Sequence, residues 1–318
     1  MKAIIYSRYG SPDILELKEV ERPAPKYDEV LIKVRSASVN PLDWHFMRGK
    51  PFFLRLMAGM LKPKDTRLGV DVAGQVEAVG RNVTQFKPGD DVFGSCRGAF
   101  AEYACTSESK LVIKPENMTF EQGASVPVAA FTALQGLRNK GKIQPGQKVL
   151  INGASGGVGT YAVQIAKLFG AEVTAVCSTR NMDMVRSIGA DHVIDYTKEN
   201  FTKNGKCYDL ILAANGYQSI SDYRRSLSSN GIYVMIGGAG VQMFQALFLG
   251  PLMSITGSKK MGGMMAAANQ KDLIYLKKRI ETGKIKPVID RLYPLNEAAQ
   301  AIRYLEEGHA QGKVVITM

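Results

Sequence analysis

From about Gln144 onward, the chain alternates between strand-like and helix-like segments. The segment "QKVLING" predicts a strand, "GTYAVQIAKLFG" a helix with one apolar face, and "AEVTAVC" a second strand. Further strand and helix signals follow as far as "IYVMIGG". Because such alternation is typical of parallel strands joined by crossover helices, it predicts an α/β fold with a doubly wound parallel sheet covered on both faces.

A glycine-rich loop, "VLINGASGGVG" at 149–159, joins the first of these strands to the first helix. Its A-x-G-x-x-G pattern falls on Ala154, Gly156 and Gly159, where small residues let a backbone approach a pyrophosphate. The helix that follows supplies unpaired N–H groups and a favourable dipole. In this context the loop indicates a dinucleotide site rather than a simple tight turn. The candidate contacts are Ser155, Gly156, Gly157 and Val158.

The stretch "CSTRN" at 177–181 ends the second predicted strand, where a dinucleotide-binding fold usually carries an acidic residue. An acidic group would bind both ribose hydroxyls and repel a 2′-phosphate, whereas Ser178 and Arg180 can donate hydrogen bonds to that phosphate. The stretch therefore favours NADPH over NADH; the alternative is that Arg180 only begins a solvent-facing helix. Tyr196, which closes "VIDY", is either a neighbour of the adenosine or a core aromatic residue.

The first third of the chain carries strand signals of a different kind, from "KAIIYS" to "SKLVIKP". Alternating apolar residues, β-branched residues and the turns "YGSPD" and "KPGDD" predict a compact, mostly antiparallel β domain. A chain of 318 residues fits two domains. The last strand, in "GKVVITM", is a candidate to return to the first domain.

Composition narrows the classes of partner. The formal charge of +12 is spread along the chain without a run of five Lys or Arg, which favours a solvated basic surface over nucleic-acid binding. Four cysteines without a CxxC pair argue against a disulfide framework, and no signal-peptide pattern is evident, so we expect a cytoplasmic protein. The uncharged segment 232–257 is long enough to cross a bilayer, but its glycines predict a buried strand, a loop and a second strand.

The motifs together resemble those of the medium-chain dehydrogenase/reductase superfamily, and within it the zinc-independent quinone oxidoreductase-like branch. The resemblance rests on "SVNPLDWHFMRG", "LGVDVAGQVEAVG", "KPGDDVFG", "GAFAEYA", "GASGGVGTYAVQIAKLFGAEVTAV", "GADHVIDY" and "GKVVI", and so covers nearly the whole chain. It implies a GroES-like β-barrel catalytic domain at 1–120 and 286–318, and a Rossmann NADPH-binding domain at 121–285.

The zinc-using branch of the superfamily holds its catalytic metal with a cysteine, a histidine and a third thiolate or acid. The matching positions here look like Asn40, Val70 and Val128. Because valine cannot ligate a metal and an amide is a poor substitute for a thiolate, we expect no zinc. Negative charge on the reduced substrate must then be stabilised by hydrogen bonds or delocalised, which favours quinones and α,β-unsaturated carbonyls as small apolar substrates.

The resemblance also suggests residues near the nicotinamide. Asn40, in "VNPLD", is the candidate catalytic residue, orienting the ring, the substrate or a bound water, or else it holds the turn that follows. Thr132, in "AAFTALQGL", packs near the nicotinamide or is an ordinary helix residue. Lys313, in "GKVVI", lies near the cofactor or faces solvent. His45 and Asp43 are expected to be structural, so no proton donor is assigned, and a hydroquinone or enolate takes its proton from water.

Two apolar stretches bear on partners. In "PFFLRLMAGMLKPKDTR" at 51–67, Phe52, Phe53 and Leu56 are expected to line an apolar pocket or to pack. The alternative is an amphipathic contact with a membrane surface, without stable insertion. The stretch "PLMSITG" is predicted to be a strand that pairs across a homodimer, as in relatives, or is covered within the monomer.

These observations favour an enzyme that transfers a hydride from NADPH to a quinone or an α,β-unsaturated carbonyl without zinc. Two alternatives remain. The same motifs would serve an NADPH-binding sensor or interaction protein with little turnover. An enoyl-thioester reductase would usually want a tyrosine acid near the substrate, and the sequence does not fix one.

Overall fold

The computed structural model describes residues 1–215, 217–238, 240–255 and 257–318. The chain divides into two compact units. Unit 1 comprises Met1–Val128, Ala268–Thr282 and Pro287–Met318, and unit 2 comprises Ala129–Ala267 and Gly283–Lys286. The family resemblance places the domain boundaries after residue 120 and before residue 286. These boundaries refer to domains of the family and not to compactness, and they stay a prediction.

The secondary structure follows the order expected from the sequence for most of its length. The strands are β1 (Lys2–Ile5), β2 (Glu16–Glu19), β3 (Glu29–Val39), β4 (Asp71–Val79), β5 (Asp91–Ser95), β6 (Tyr103–Ser107), β7 (Leu111–Ile113), β8 (Lys148–Asn152), β9 (Glu172–Cys177), β10 (His192–Asp195), β11 (Tyr208–Ala213), β12 (Leu227–Met235), β13 (Lys260–Gly263), β14 (Ile289–Pro294) and β15 (Lys313–Thr317). The α-helices are α1 (Pro41–Arg48), α2 (Leu54–Ala58), α3 (Phe120–Ser125), α4 (Pro127–Gln135), α5 (Gly157–Leu168), α6 (Met182–Ser187), α7 (Ile220–Arg225), α8 (Gly240–Phe244), α9 (Gly250–Ile255), α10 (Gln270–Glu281) and α11 (Ala298–Glu306).

Unit 1 is built on a seven-stranded sheet in the order β14-β15-β3-β4-β5-β7, with β6 also paired to β3. All of these pairs are antiparallel except β14 with β15. The long strand β3, rich in Val and Ile, supplies Ile32 and Val34 to the core. The C-terminal strand β15 pairs with β3, Val314 opposite Val39, and so returns to the first unit as the sequence predicts.

Unit 2 holds a six-stranded sheet in the order β10-β9-β8-β11-β12-β13, with every pair parallel. Strands β8 and β9 read as nearly continuous apolar runs because helices cover both faces of such a sheet. The chain leaves β8 towards β9 on one side and later returns to its other side as β11. In sheets of this kind a ligand binds beside that reversal, at the carboxyl ends of the strands.

The prediction of a loop and a second strand within 232–257 is wrong. After β12 the chain forms α8, a π-helical segment at Gln245–Leu249, and α9. Leu, Met, Ala and Gln are good helix formers, and in this run they prevail over the apolar pattern that suggested a strand. The predicted strand "PLMSITG" is therefore mostly helix α9, while Ala239 and Thr256 lie outside the described residues.

Two smaller findings concern the same region. The segment "ISDYRRSLSSNG" is helical, as α7, only as far as Arg225, and the residues from Leu227 belong to β12. Serine and asparagine are weak helix formers, so the second half of the segment, from Leu227, joins the parallel sheet instead. Over the described part of the chain, no helix is both long and apolar enough to span a bilayer.

Candidate functional site

The glycine-rich loop of unit 2 lies between the end of β8 and the start of α5, as the sequence predicts. Gly153 adopts a left-handed backbone conformation, with φ of +82°, and turns the chain away from the strand. Ser155, Gly156, Gly157 and Val158 are partly exposed at the amino-terminal end of α5. The first N–H groups of a helix have no intrahelical partner, so this end can bind an anion.

Two glycines of the loop are required for different reasons. A Cβ on Gly159 would collide with the carbonyl oxygen of Gly153 and with the backbone of Ala154, so only glycine lets α5 pack this closely against the loop. A Cβ on Gly156 would meet only the Gly153 carbonyl oxygen, at 3.7 Å. The space beside Gly156 is therefore open within the protein, as expected of a position kept small for a ligand.

Asn181 connects the glycine-rich loop to the "CSTRN" stretch. Its Nδ2 donates to Ser155 Oγ at 2.8 Å and to Ser178 Oγ at 3.2 Å. The side chain is buried, and its Oδ1 has no hydrogen-bond partner among the described residues. A buried amide oxygen left without a donor is costly, which indicates that a bound molecule or water satisfies it.

The residues proposed for the adenosine end follow the carboxyl ends of two neighbouring strands. Ser178 follows β9 and is partly exposed, and Arg180 is exposed in the short 3-10 helix Thr179–Asn181. Tyr196 follows β10, donates its N–H to the Cys177 carbonyl at 3.1 Å, and is 58% exposed. Its exposure excludes the core-aromatic alternative. The three side chains thus lie along one edge of the sheet.

Asp195 is the acidic residue of this edge, but its carboxylate is already engaged. It accepts hydrogen bonds from the Thr179 hydroxyl and from the Thr197 N–H and hydroxyl, the Thr197 distances being 3.0 and 2.7 Å. The Thr179 hydroxyl, against an opposing effect of burial and with help from Thr197, lowers the pKa of Asp195. Its charge therefore holds the chain around Thr179 rather than offering acceptors for ribose hydroxyls.

These features fit a dinucleotide. The open cradle at Gly156 and the helix start beside it suit the pyrophosphate, and the buried Asn181 oxygen suits a donor on the bound molecule. At the ribose position, Ser178 and Arg180 present hydrogen-bond donors.

A second group of polar side chains is buried in unit 1, where β3, β4 and β15 lie side by side. Asp71 accepts hydrogen bonds from Ser38 Oγ at 2.7 Å, Asn40 Nδ2 at 2.9 Å and the Val128 N–H at 3.0 Å. Lys313 Nζ lies 3.6 Å from Asp71 Oδ2 and donates to Asn40 Oδ1 at 2.6 Å. Lys313 is 3% exposed, which excludes the solvent-facing alternative.

The Asn40 amide is held at both ends. Its Nδ2 donates to Asp71 and to the Ser38 carbonyl at 3.2 Å, and its Oδ1 accepts from Lys313. Both amide hydrogens are thus engaged within the protein, and Oδ1 accepts from a buried ammonium. Asn40 also starts α1, since its N–H donates to Asp43 Oδ2 at 2.8 Å. The turn-holding role and a site role therefore coexist in one residue.

Burial dominates the ionisation of this cluster. It lowers the pKa of Lys313, against the opposing charges of Asp71 and Asp43. It raises the pKa of Asp43 to about 7, although the N–H groups of Asn40 and Gly69 bond the carboxylate and oppose the shift. Each buried charge thus depends on its partners to stay ionised.

The surroundings of two other candidate residues, Thr132 and His45, define their roles less fully. Thr132 is partly buried within α4, which leaves both of its interpretations open. His45 Nδ1 lies 2.8 Å from the Lys50 carbonyl oxygen, and its ring stacks on Trp44 with centroids 3.7 Å apart. Burial lowers the pKa of His45, so the neutral form prevails at neutral pH. These contacts fit the structural role expected for His45.

The side chains at the positions matched to zinc ligands do not fit a metal. Asn40 is fully bonded to Asp71 and Lys313, and the ammonium of Lys313 already provides the positive charge beside Asp71. Val70 and Val128 offer only apolar side chains. Among the described residues, no three or more His, Cys, Asp or Glu side chains are grouped so as to hold a metal.

Sequence reasoning missed Ser38, Asp71, Asn181 and the anchoring role of Asp195. A signal for Asp71 was present, because it stands in the apolar strand "LGVDVAG" and a buried acid requires a cationic or hydrogen-bonding partner. Asn181 stood inside the quoted stretch "CSTRN", but its link to Ser155 depends on the approach of two loops. That approach is set by the sheet register and not by local sequence.

Two sequence families match the chain. The family described as "Alcohol dehydrogenase GroES-like domain" matches residues 26–116, and the family described as "Zinc-binding dehydrogenase" matches residues 188–316. The first range lies in the β-rich first part of the chain. The second runs from before β10 into β15, and so includes strands of both large sheets.

Relatives that match nearly the whole chain carry the names of oxidoreductases. The chloroplast envelope quinone oxidoreductase homolog of Arabidopsis thaliana is 36% identical over 334 residues, covering 99% of this chain and 98% of that protein. The chloroplastic NADPH-dependent alkenal/one oxidoreductase of the same plant is 35% identical, covering 99% of this chain and 79% of that protein. Among solved structures, the quinone oxidoreductase from Coxiella burnetii has a TM-score of 0.88 at 30% identity, covering 100% of this chain and 99% of that one.

Proposed function

This chain is an oxidoreductase that belongs to the quinone oxidoreductase-like branch of the medium-chain dehydrogenase/reductase superfamily, and on that premise we propose that it reduces a quinone or an α,β-unsaturated carbonyl with NADPH. The superfamily depends on nicotinamide dinucleotides. The observation that carries the proposal is the donor-lined edge of unit 2, where Ser178 and Arg180 follow β9 and the glycine-rich loop precedes α5.

The preference for NADPH over NADH is supported by the charges at this edge. Arg180 brings a cation and Ser178 a hydroxyl to the end of β9, the strand end at which NADH-binding folds carry an acid. Asp195, at the end of the neighbouring strand β10, is bonded to Thr179 and Thr197. The 2′-phosphate of NADPH is therefore attracted by Arg180, whereas the free ribose of NADH gains little from it.

NADPH supplies the hydride when it is bound, and the residues of the chain bind and orient it. We assign Ser155, Gly156, Gly157 and Val158 to the pyrophosphate, and Ser178, Arg180 and Tyr196 to the adenosine end. Thr132, Asn40 and Lys313 are assigned to the nicotinamide end.

Asn40 and Lys313 act as a fixed pair in this proposal. Because Asp71 and Lys313 hold opposite ends of the Asn40 amide, its orientation does not change when a ligand binds. A preorganised polar group costs no reorganisation during the reaction, and the positive charge of Lys313 favours negative charge that develops nearby. Conjugated acceptors delocalise that charge further, and the hydroquinone or enolate takes its proton from water.

The proposed reduction proceeds without zinc. Its support is the chemistry of Asn40, Val70 and Val128, which offers no set of thiolate, imidazole or carboxylate ligands. Elemental analysis of the purified protein, with activity measured before and after chelation, tests this part. Stoichiometric zinc that activity requires would contradict it.

Turnover of a panel of acceptors tests the proposed activity. The purified chain is incubated with NADPH or NADH and with quinones, enones, enals and an enoyl thioester, and oxidation of the cofactor is followed by absorbance. We expect turnover with a quinone or an α,β-unsaturated carbonyl and faster turnover with NADPH. Reduction of the enoyl thioester alone would indicate the enoyl-thioester reductase. Tight NADPH binding without turnover on any acceptor would indicate a sensor or interaction protein.

We also infer that the enzyme is located in the cytoplasm and forms a homodimer. The dimer is supported by the exposed apolar side chains of α8, α9 and the π-helical segment between them, among them Phe244, Phe248 and Leu252. Pairing through a strand at "PLMSITG" is not part of it, because that stretch is mostly helix α9. Sedimentation equilibrium measures the assembly directly, and a monomer at micromolar concentration would contradict it.

A further inference from the structure

An apolar surface surrounds the short helix α2 in unit 1. Within 52–61 six large apolar side chains are exposed, and we call this set the 52–61 surface. Its members and exposed fractions are Phe52 62%, Phe53 52%, Leu56 68%, Met57 75%, Met60 49% and Leu61 93%. The exposure argues against the packing role expected for Phe52, Phe53 and Leu56. So many adjacent apolar side chains in water mark an interaction site.

The charged residues of the stretch 44–64, which contains the 52–61 surface, are all basic. Lys50, Lys62 and Lys64 are exposed at its two ends, and the sequence contains no acidic residue between Asp43 and Asp65. The arginines of this stretch are held by other parts of unit 1. Arg48 pairs with Glu306 at 2.5 and 2.8 Å, and Arg55 donates to the Gly49 carbonyl at 3.1 Å. The lysines are thus the charges that the surface presents to a partner.

Contacts beneath the 52–61 surface give it a defined shape. The Tyr9 hydroxyl donates to the Gly59 carbonyl at 2.5 Å, and the Arg55 guanidinium lies 4.4 Å from the centre of the Tyr9 ring. The Lys64 N–H donates to the Ala58 carbonyl at 2.8 Å. These bonds fix both ends of α2 against the unit, so its apolar side chains are presented outward together.

We propose that the 52–61 surface docks onto an anionic lipid membrane. Apolar side chains flanked by lysines, with no acid among them, match the boundary between acyl chains and negatively charged headgroups. Helix α2 spans only Leu54–Ala58, so it lies on the membrane and does not cross it. A second copy of the chain fits less well, because a two-fold contact would bring the lysines of both copies together without an acid to pair them.

Vesicle co-sedimentation of the full chain, without NADPH or acceptor, tests the proposal. One set of vesicles contains phosphatidylcholine with ~30% phosphatidylglycerol, and the other contains phosphatidylcholine alone; the anionic set should bind the chain, less so at high salt. Met57→Ser with Leu61→Ser should weaken binding by about tenfold or more, because two apolar side chains no longer enter the lipid. Lys62→Glu with Lys64→Glu should weaken it by about tenfold or more on anionic vesicles.

Matched variants elsewhere separate this surface from the general charge of the protein. Met265→Ser with Leu292→Ser replaces side chains that are 83% and 55% exposed, and Lys203→Glu with Lys206→Glu makes the same charge change at two other exposed lysines. Both double variants should bind vesicles within about twofold of the wild type, since neither lies in the 52–61 surface. Circular dichroism and melting curves confirm that all four variants fold.

Several results would overturn the proposal. Equal losses in the test and control charge variants would mean binding through net charge alone. Unchanged vesicle binding in Met57→Ser with Leu61→Ser would exclude insertion of the apolar side chains, and a raised KM in that variant would then assign them to the substrate pocket. Dissociation of a dimer by the same substitutions would assign the surface to a second copy. The vesicle and dimer measurements contain no cofactor or acceptor, so their outcomes are independent of the proposed reductase activity, and only the KM comparison depends on it.

Discussion

Lys313 Nζ lies 2.6 Å from Asn40 Oδ1 and 3.6 Å from Asp71 Oδ2, and all three side chains are buried. The pairing of β15 with β3 brings Lys313 to Asn40, and the pairing of β3 with β4 brings Asp71 to both. Residues separated by most of the chain thus form one cluster. Because burial lowers the pKa of Lys313, its charge depends on the carboxylate beside it.

Replacing the buried lysine should strongly destabilise the fold. Lys313→Met removes the cation and leaves the carboxylate of Asp71 uncompensated, so we expect the free energy of unfolding to fall by about 3–5 kcal/mol. Urea denaturation at neutral pH measures the change. Lys18→Met is the control, because Lys18 pairs with Glu16 at 2.8 Å with both side chains more than half exposed. Its loss should be within about 1 kcal/mol.

A double-mutant cycle separates this pair from the packing around it. In Lys313→Met with Asp71→Asn the buried charges are removed together, so the loss should be smaller than the sum of the two single losses. Additive losses would show that Lys313 and Asp71 do not depend on each other. That result would also remove the argument that they hold the Asn40 amide in place.

The architecture follows from the sequence wherever a repeating pattern specifies it. Alternating strands and helices after Gln144 predicted the parallel sheet, and the apolar strands β8 and β9 are each paired on both sides within it. The pattern was not decisive after Met235, since an uncharged apolar run suits a buried strand and a helix alike. There the order of the elements was wrong, because helix propensity and packing decided between them.

Gly156 and Gly159 of the glycine-rich loop should respond differently to replacement by alanine. Gly156→Ala should change the free energy of unfolding by less than about 1 kcal/mol, since the space beside it is open, yet weaken NADPH binding by about tenfold or more. Gly159→Ala should lower stability itself, because a Cβ there meets the Gly153 carbonyl oxygen. Thermal unfolding and fluorescence titration with NADPH measure the two effects.

The comparison is informative because each variant is the control for the other. If Gly156→Ala left NADPH affinity unchanged, the pyrophosphate would have to bind away from the start of α5. If both variants lost stability alike, the open space at Gly156 would have no relation to a ligand.

The acid at the end of β10 should make stability depend on pH. The hydrogen bond from Thr179 lowers the pKa of Asp195 in the folded state. The ionised carboxylate therefore stabilises the protein at pH values above the pKa of an unfolded Asp, about 3.9. This stabilisation is lost as the pH falls below that value. Asp195→Asn should therefore be less stable than the wild type at pH 7, and the difference should shrink towards pH 3. Urea denaturation at pH 7, 5 and 3 measures it.

A matched acid provides the control for this prediction. Asp183 has a fully exposed side chain and pairs with Arg186 along the surface of α6. Asp183→Asn should leave stability nearly unchanged at all three pH values. A constant difference between Asp195→Asn and the wild type from pH 7 to pH 3 would mean that the charge of Asp195 does not hold Thr179.

Candidate site residues can be proposed from the sequence where a local motif carries them, and not where the sheet assembles them. Ser178 and Arg180 follow from their distance beyond the glycine-rich loop, and Asn40 and Lys313 from motifs that resemble a known family. Neither source revealed that Asp71 joins Asn40 to Lys313, because that contact depends on strand register. The link from Asn181 to Ser155 likewise depends on two loops meeting at neighbouring strand ends.

In the proposed function, the choice of cofactor depends most on Arg180. Arg180→Ala should weaken NADPH binding by roughly 10- to 100-fold, the equivalent of one charge-assisted hydrogen bond of about 1.5–3 kcal/mol. NADH binding should change by less than about threefold, since NADH has no 2′-phosphate for the guanidinium to bind. Arg186→Ala is the control, because Arg186 pairs with Asp183 at 3.0 Å and should affect neither cofactor. Titration of the three proteins with both cofactors gives the comparison. Equal losses of NADPH and NADH affinity in Arg180→Ala would remove Arg180 from the phosphate site, and Ser178 alone would then have to account for any preference.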